Sequence, residues 1–254
     1  MPLPPLGDIA IVVAGALVAG FVNGLSGTGY ALVALGFWLQ AMSPLTAAPL
    51  AALCGVAGHI QSLPRIWNGV RWPRLWPFLA AGIVGVPIGT LMLDHVQPRP
   101  LKIGVGLLLI FYSGWMALVR RRPIVSGGGR LADAAIGFTG GVMGGMASLS
   151  GPAPTIWAQL RGFGKDEQRG VNQPFNMSVL FLALVSSAIA GFLDRTFFVW
   201  AAISLPATLV GAQLGLALYR RINDVQFRRI VLVLLGLSGA TLIASAIRWD
   251  VLSS

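Results

Sequence analysis

Residues 9–42 read IAIVVAGALVAGFVNGLSGTGYALVALGFWLQAM. An apolar run, Ile9–Leu25, stops at Ser26-Gly27-Thr28-Gly29 and restarts at Tyr30, ending near Met42. A helix that crosses a bilayer needs ~20 apolar residues. Tyr30–Met42 is too short for that: at helical rise it reaches only ~20 Å into a core ~30 Å thick. The stretch therefore reads as a broken helical hairpin rather than as one span or two.

Longer apolar runs follow at about 45–63, 73–93 and 100–119, each long enough to cross. A basic, Gly-rich linker over 120–130 comes next, and then the pattern recurs. A second hairpin over 131–163 is interrupted at Ser150-Gly151-Pro152-Ala153-Pro154, and spans follow at about 171–193, 197–219 and 225–247. The halves match in order. Leu6-x-Asp8-x-Ala10 resembles Leu131-x-Asp133-x-Ala135, and Leu25-Ser26-Gly27 resembles Leu149-Ser150-Gly151. Pro49 matches Pro174, and Gly85-x-x-x-Gly89 matches Gly211-x-x-x-Gly215. Four matches in sequence order argue for duplication, with 1–119 as repeat 1 and 131–254 as repeat 2.

Composition agrees. Fifty-six per cent of the 254 residues are hydrophobic and 10 % are charged, against about 25 % in a soluble domain. The chain cannot cover itself with a polar surface and reads as an all-α polytopic membrane protein. Its net charge of +10 is then a topology signal, and no nucleic acid is expected as a partner. Cys54 is the single cysteine, which excludes an internal disulfide and a cysteine-based metal site. No Lys or Arg precedes Arg65. A cleavable secretion signal has a basic start, so Ile9 onward is expected to be mature structure.

A broken hairpin plus three spans in each half inverts the second half relative to the first. One side then holds fourteen of the eighteen basic residues, in the clusters 65–74, 120–130, 161–169 and 220–229, and the other holds Arg99, Lys102, Arg195 and Arg248. If only the first arm of each hairpin crossed, the split would be nine to nine. The positive-inside rule selects the inverted arrangement, in the inner membrane with both termini outside. The count leaves open whether the hairpin arms stop midway or cross fully, since both give the same parity. Arm length favours re-entrant arms.

Irregular backbone at membrane depth survives only where protein or a water-filled cavity satisfies it. Two such breaks in inverted halves place half-helix ends at a midplane substrate site, the pattern of secondary transporters. The arms beginning near Tyr30 and Thr155 would point their N-termini, with free N–H groups and positive dipole ends, at that site. No carboxylate lies deep in a span, so an anion is expected rather than a cation. The candidate binding residues are Asn23, Ser26, Gly27, Thr28 and Gly29 at the first break, and Ser148, Ser150 and Gly151 at the second. Asn172, Gln173 and Asn176, beside Pro174, are candidates to line the cavity; interhelical hydrogen bonding is the competing role for them. Pro49 and Pro174 read as residues of a first or second helical turn. His59, well inside a span, is a candidate for proton coupling, with a hydrogen bond to a backbone carbonyl as its alternative. No catalytic residue, metal or cofactor is expected. An anion channel is the main functional alternative. A remote one is an intramembrane serine protease built on Gly24-Leu25-Ser26-Gly27 and His59.

The glycine-rich segments Gly20-Phe21-Val22-Asn23-Gly24-Leu25-Ser26-Gly27-Thr28-Gly29 and Gly140-Gly141-Val142-Met143-Gly144-Gly145-Met146-Ala147-Ser148-Leu149-Ser150-Gly151 resemble the duplicated glycine motif of the TauE/SafE sulfite-exporter permeases. Chain length, duplication, basic linker and paired Gly-x-x-x-Gly extend the resemblance over nearly the whole chain. The sequence departs from the motif in its shortened glycine run, Gly27-Thr28-Gly29-Tyr30, and in Pro152 and Pro154. The resemblance implies a transporter of a small sulfur-containing anion such as sulfite or an organosulfonate, with an exporter as the expected direction. The expected partners are that anion and the lipid bilayer; a homodimer is compatible with the sequence.

Overall fold

The structure is a computed structural model that describes residues 5–66, 70–118, 125, 127–163 and 165–219, with scattered positions between 233 and 247. Among the described residues the regular structure is entirely helical: α1 (Leu6–Ser26), α2 (Tyr30–Trp38), α3 (Pro44–Ile66), α4 (Trp72–Leu93), α5 (Pro98–Leu118), α6 (Gly129–Ala147), α7 (Pro152–Leu160), α8 (Lys165–Ile189) and α9 (Arg195–Tyr219). Residues 119–124 and 126, which include six of the eleven linker positions, lie outside the described residues. So does most of the expected span 225–247, whose described positions are helical.

Three of the described helices are long and apolar enough to cross a membrane: Leu6–Leu25, Trp72–Leu93 and Arg195–Leu218. The first is longer than the apolar run predicts, because Leu6-Gly7-Asp8 join the helix. At 21 residues it extends ~31 Å. Large apolar side chains face outward along these helices, among them Val84, Ile88 and Leu91 on α4 and Phe198, Val210 and Leu214 on α9. Such a band suits hydrocarbon and not water. Pro174 corrects a sequence expectation: α8 begins at Lys165, so the proline lies inside the helix rather than in its opening turns. It leaves the Gly170 carbonyl without its helical donor.

The glycines set the packing. Gly20 and Gly24 of α1 lie against the Thr208 and Ala212 backbone of α9, and Gly211 and Gly215 of α9 lie against Leu17 and Phe21 of α1. Gly141 and Gly145 of α6 lie against Gly82 and Val86 of α4, and Gly85 and Gly89 of α4 lie against Phe138 and Val142 of α6. At all eight glycines a Cβ would overlap a facing backbone carbonyl oxygen. These small-residue seams bring helix backbones into direct contact, the mode of packing available where no hydrophobic effect drives helices together. The two seams have the same register: positions 20, 21 and 24 make the contacts that 141, 142 and 145 make.

The short arms are pinned in the same way. Trp38 of α2 donates its indole N–H to the Val12 carbonyl at 3.0 Å. Trp157 of α7 donates its own to the Asp133 carboxylate at 2.7 Å. Helix α2 is buried on nearly every side, as expected of a helix that is apolar all round. It sits in a core shared with α1, α3, α5 and α9. A second core joins α4 to α8 through Phe78 and Phe175, whose rings meet edge to face at 6.3 Å.

Candidate functional site

Each hairpin breaks at a left-handed residue. Helix α1 ends at Gly27 (φ 68°), whose N–H bonds the Asn23 carbonyl at 2.7 Å, and a second left-handed glycine, Gly29 (φ 87°), precedes α2. Only glycine takes this conformation without penalty. Helix α6 ends at Ser148 (φ 57°), a non-glycine in the same conformation. Its N–H bonds the Gly144 carbonyl at 2.7 Å, the 5→1 bond of a left-handed helix stop, and the Leu149 N–H bonds the Met143 carbonyl at 3.1 Å. The Ser148 hydroxyl donates to the Ala48 carbonyl at 2.7 Å. That bond holds the strained cap against α3.

The two breaks converge. A small cavity of ≈ 20 Å³ lies between the first turn of α2 and the second break, room for about one water. Gly29, Tyr30, Ala31 and Leu32 form one wall and Ser148, Leu149, Ser150, Gly151 and Pro152 another; His59 of α3 and Asn176 and Leu180 of α8 complete it. The opening N–H groups of α2 have no partner within their helix. The start of α7 offers fewer, because Pro152 and Pro154 carry no N–H and the Thr155 N–H bonds Gly151 at 3.1 Å. No Asp, Glu, Lys or Arg is among the described residues lining the cavity.

Of the residues singled out from sequence, Gly29, His59, Ser148, Ser150, Gly151 and Asn176 line this cavity. The Asn176 side chain is buried, and its Oδ1 has no hydrogen-bond partner among the described residues. Asn23, Gln173 and Gly27 lie behind the wall. A side chain at Gly27 would collide with the Gln173 amide, and one at Gly58 with the Asn23 amide. Asn23 and Gln173 are each 1 % exposed, with both carboxamide atoms unpartnered among the described residues. Thr28 is half-buried between the two glycines and outside the cavity wall. The Ser26 side chain lies outside the described residues. Asn172 donates to the Thr155 hydroxyl at 3.0 Å, an interhelical tether of α7 to α8.

Sequence reasoning gave Tyr30 no role beyond starting an arm. It is buried, lines the cavity, and its hydroxyl pairs with Thr208 of α9 at 2.7 Å. Behind it Cys54 pairs with Ser204 of α9 at 3.4 Å. A tyrosine directly after the glycine break was the available signal. The cations beside the second hairpin are engaged at its edge. Arg161 stands 3.8 Å from Asp133 and stacks over Trp157, and Arg74 bonds Glu167 and covers Phe163. Arg169 of α8 is an electrostatic neighbour of His59.

Long apolar helices and glycine-packed seams, with a small cavity between two helix breaks, are the features of a helical membrane protein. The family profile "Sulfite exporter TauE/SafE" matches residues 12–242, and the chain belongs to that family. It is 25 % identical over 258 residues to the "Probable sulfite/organosulfonate exporter TauE" of Cupriavidus necator, covering 97 % of each chain. No solved structure matches it.

Proposed function

We propose that the chain is a secondary carrier that exports a small sulfur-containing anion, sulfite or an organosulfonate, bound between the two helix breaks. The observation that carries this reading is the convergence of both breaks on one small cavity whose described lining holds Ser148, Ser150 and Asn176 and no Asp, Glu, Lys or Arg. Family membership supports the substrate class, and the printed name of the C. necator relative points to the same anions.

In this reading the direct contacts to the anion are the first N–H groups of α2, Ser150 and Asn176, with Gly29, Ser148 and Gly151 keeping the wall thin. Asn23, Ser26, Gly27, Thr28, Asn172 and Gln173 shape and support that wall. The shared register of the α1–α9 and α4–α6 seams supports two repeats, and the 9-residue lengths of α2 and α7 support re-entrant arms. The fourteen-to-four division of basic residues supports their inversion in a multi-pass inner-membrane protein with both termini outside. Neutral hydrogen bonds contribute ~1 kcal/mol each, so affinity is micromolar to millimolar, about 4–8 kcal/mol. A carrier needs such weakness to release what it binds. The cavity, with room for one water, is smaller than a sulfur oxyanion, so loading requires the breaks to separate.

Reconstituted vesicles test the reading. Sulfite efflux that saturates, and that is accelerated by sulfite on the opposite side, is the carrier result. Efflux that rises linearly with concentration and shows no counterflow would make the protein a channel.

A further inference from the structure

We infer that the cavity takes its ligand as a monoanion and rejects a dianion of the same shape. The inference rests on the carrier reading above and adds the charge state of the ligand. It follows from how little positive charge the described walls supply. The α2 N-terminus provides roughly half an elementary charge through the opening turn at Tyr30, Ala31 and Leu32. The α7 N-terminus is weakened as a donor by Pro152 and Pro154. Ser150 and Asn176 contribute dipoles only, and the Asn176 carboxamide is neutral in either orientation. The single proton of the Ser148 hydroxyl is committed to Ala48.

The ionisable groups around the cavity place no Lys or Arg in its described lining. Tyr30, from α2, is paired with Thr208. Cys54, from α3, is paired with Ser204. His59, from α3, lines the cavity, and Arg169 of α8 is its electrostatic neighbour outside the described lining. Arg161 and Arg74 lie against Asp133 and Glu167 at the edge of the hairpin.

Attraction to fixed dipoles grows linearly with ligand charge, whereas the cost of removing an ion from water grows with its square. A second charge therefore costs about three times the first in desolvation and gains only as much attraction as the first did. Dipoles sufficient for one charge fall short for two.

Calorimetric titration of the full-length protein in lipid nanodiscs tests this. Methanesulfonate and sulfate share a tetrahedral shape and differ by one charge, and sulfite passes from monoanion to dianion near neutral pH. Methanesulfonate is expected to bind at least about tenfold more tightly than sulfate, equally at about pH 6 and about pH 8. Sulfite affinity is expected to fall over the same interval. Sulfate binding as tight as methanesulfonate, or sulfite binding that tightens toward pH 8, overturns the inference and leaves the carrier reading standing. Methanesulfonate weakening in parallel with sulfite also overturns it, because the titrating charge then belongs to the protein. Absence of binding by all three anions contradicts the substrate reading itself, and the inference with it.

Discussion

The Ser148 hydroxyl donates to the Ala48 carbonyl at 2.7 Å, joining the left-handed stop of α6 to the backbone of α3. A serine has one proton to give, so this hydroxyl supports the site rather than binding an anion. Ser148→Ala is expected to lower stability by ~1 kcal/mol. Ser148→Gly loses the same bond and relieves a backbone penalty of about 1 kcal/mol, so it is expected near wild-type stability. Both should bind anion within about twofold of wild type, since the hydroxyl gives its proton to Ala48 and not to the ligand. Thermal unfolding and calorimetry on the three proteins check this.

Gly27 and Gly151 are expected to respond differently. A side chain at Gly27 meets the Gln173 amide and forces a left-handed backbone, so Gly27→Ala should cost at least ~2 kcal/mol. The double change with Gln173→Ala should recover part of that and leave the backbone cost. At Gly151 an added Cβ would stand 3.4 Å from Asn176 in ordinary contact. Gly151→Ala should therefore fold normally, narrow the cavity and weaken anion binding. Equal unfolding losses at both positions would contradict the assignment.

The glycine seams give a paired prediction. Gly85→Ala and Gly211→Ala press a methyl group into facing carbonyl oxygens of Phe138 and Leu17. Both should destabilise by about 1–3 kcal/mol, and by similar amounts. Gly104 and Gly114 of α5 have nothing within 4 Å of an added Cβ. Alanine there should be neutral or stabilising by up to about 1 kcal/mol. Monodisperse yield and unfolding temperature in detergent report the contrast.

The inverted topology predicts opposite labelling of two exposed positions. Cys54 is fully buried and should be silent toward a membrane-impermeant maleimide. Gly127→Cys, beside the basic linker, should label only from the cytoplasmic side. Gln97→Cys, between α4 and α5, should label only from the outer side. Labelling of both from one side would remove the crossing of α5 on which the inverted arrangement depends.

The helix breaks were legible because glycine and hydroxyl residues interrupting apolar runs have few other readings at membrane depth. The register between the halves was not. Sequence pairs Leu25-Ser26-Gly27 with Leu149-Ser150-Gly151, whereas the seam contacts pair Gly24 with Gly145 and the left-handed stops pair Gly27 with Ser148. A serine in a glycine conformation leaves no trace in composition; its support comes from Ala48, a hundred positions away in the chain. His59, Ser150 and Asn176, which line the cavity, stand out in the sequence because their polarity is anomalous in apolar segments. Tyr30 escaped notice because an aromatic residue in an apolar run looks like core, and its role depends on Thr208 in a distant helix. Asn172 shares a helix face with Asn176 by its spacing, with cavity lining and interhelical bonding both open to it, and its amide is bonded to Thr155.

The most direct test of the site is anion-induced stabilisation of wild-type protein beside Asn176→Leu, which removes the buried carboxamide and keeps the branching of the side chain. Methanesulfonate and sulfite are expected to raise the wild-type unfolding temperature in a concentration-dependent way, corresponding to about 2.7 kcal/mol at a hundredfold excess over Kd. The folded Asn176→Leu protein should need roughly tenfold more anion for the same shift, the effect of ~1.4 kcal/mol at the site. No stabilisation of the wild type, or an undiminished response in Asn176→Leu, would contradict a binding site between the two helix breaks.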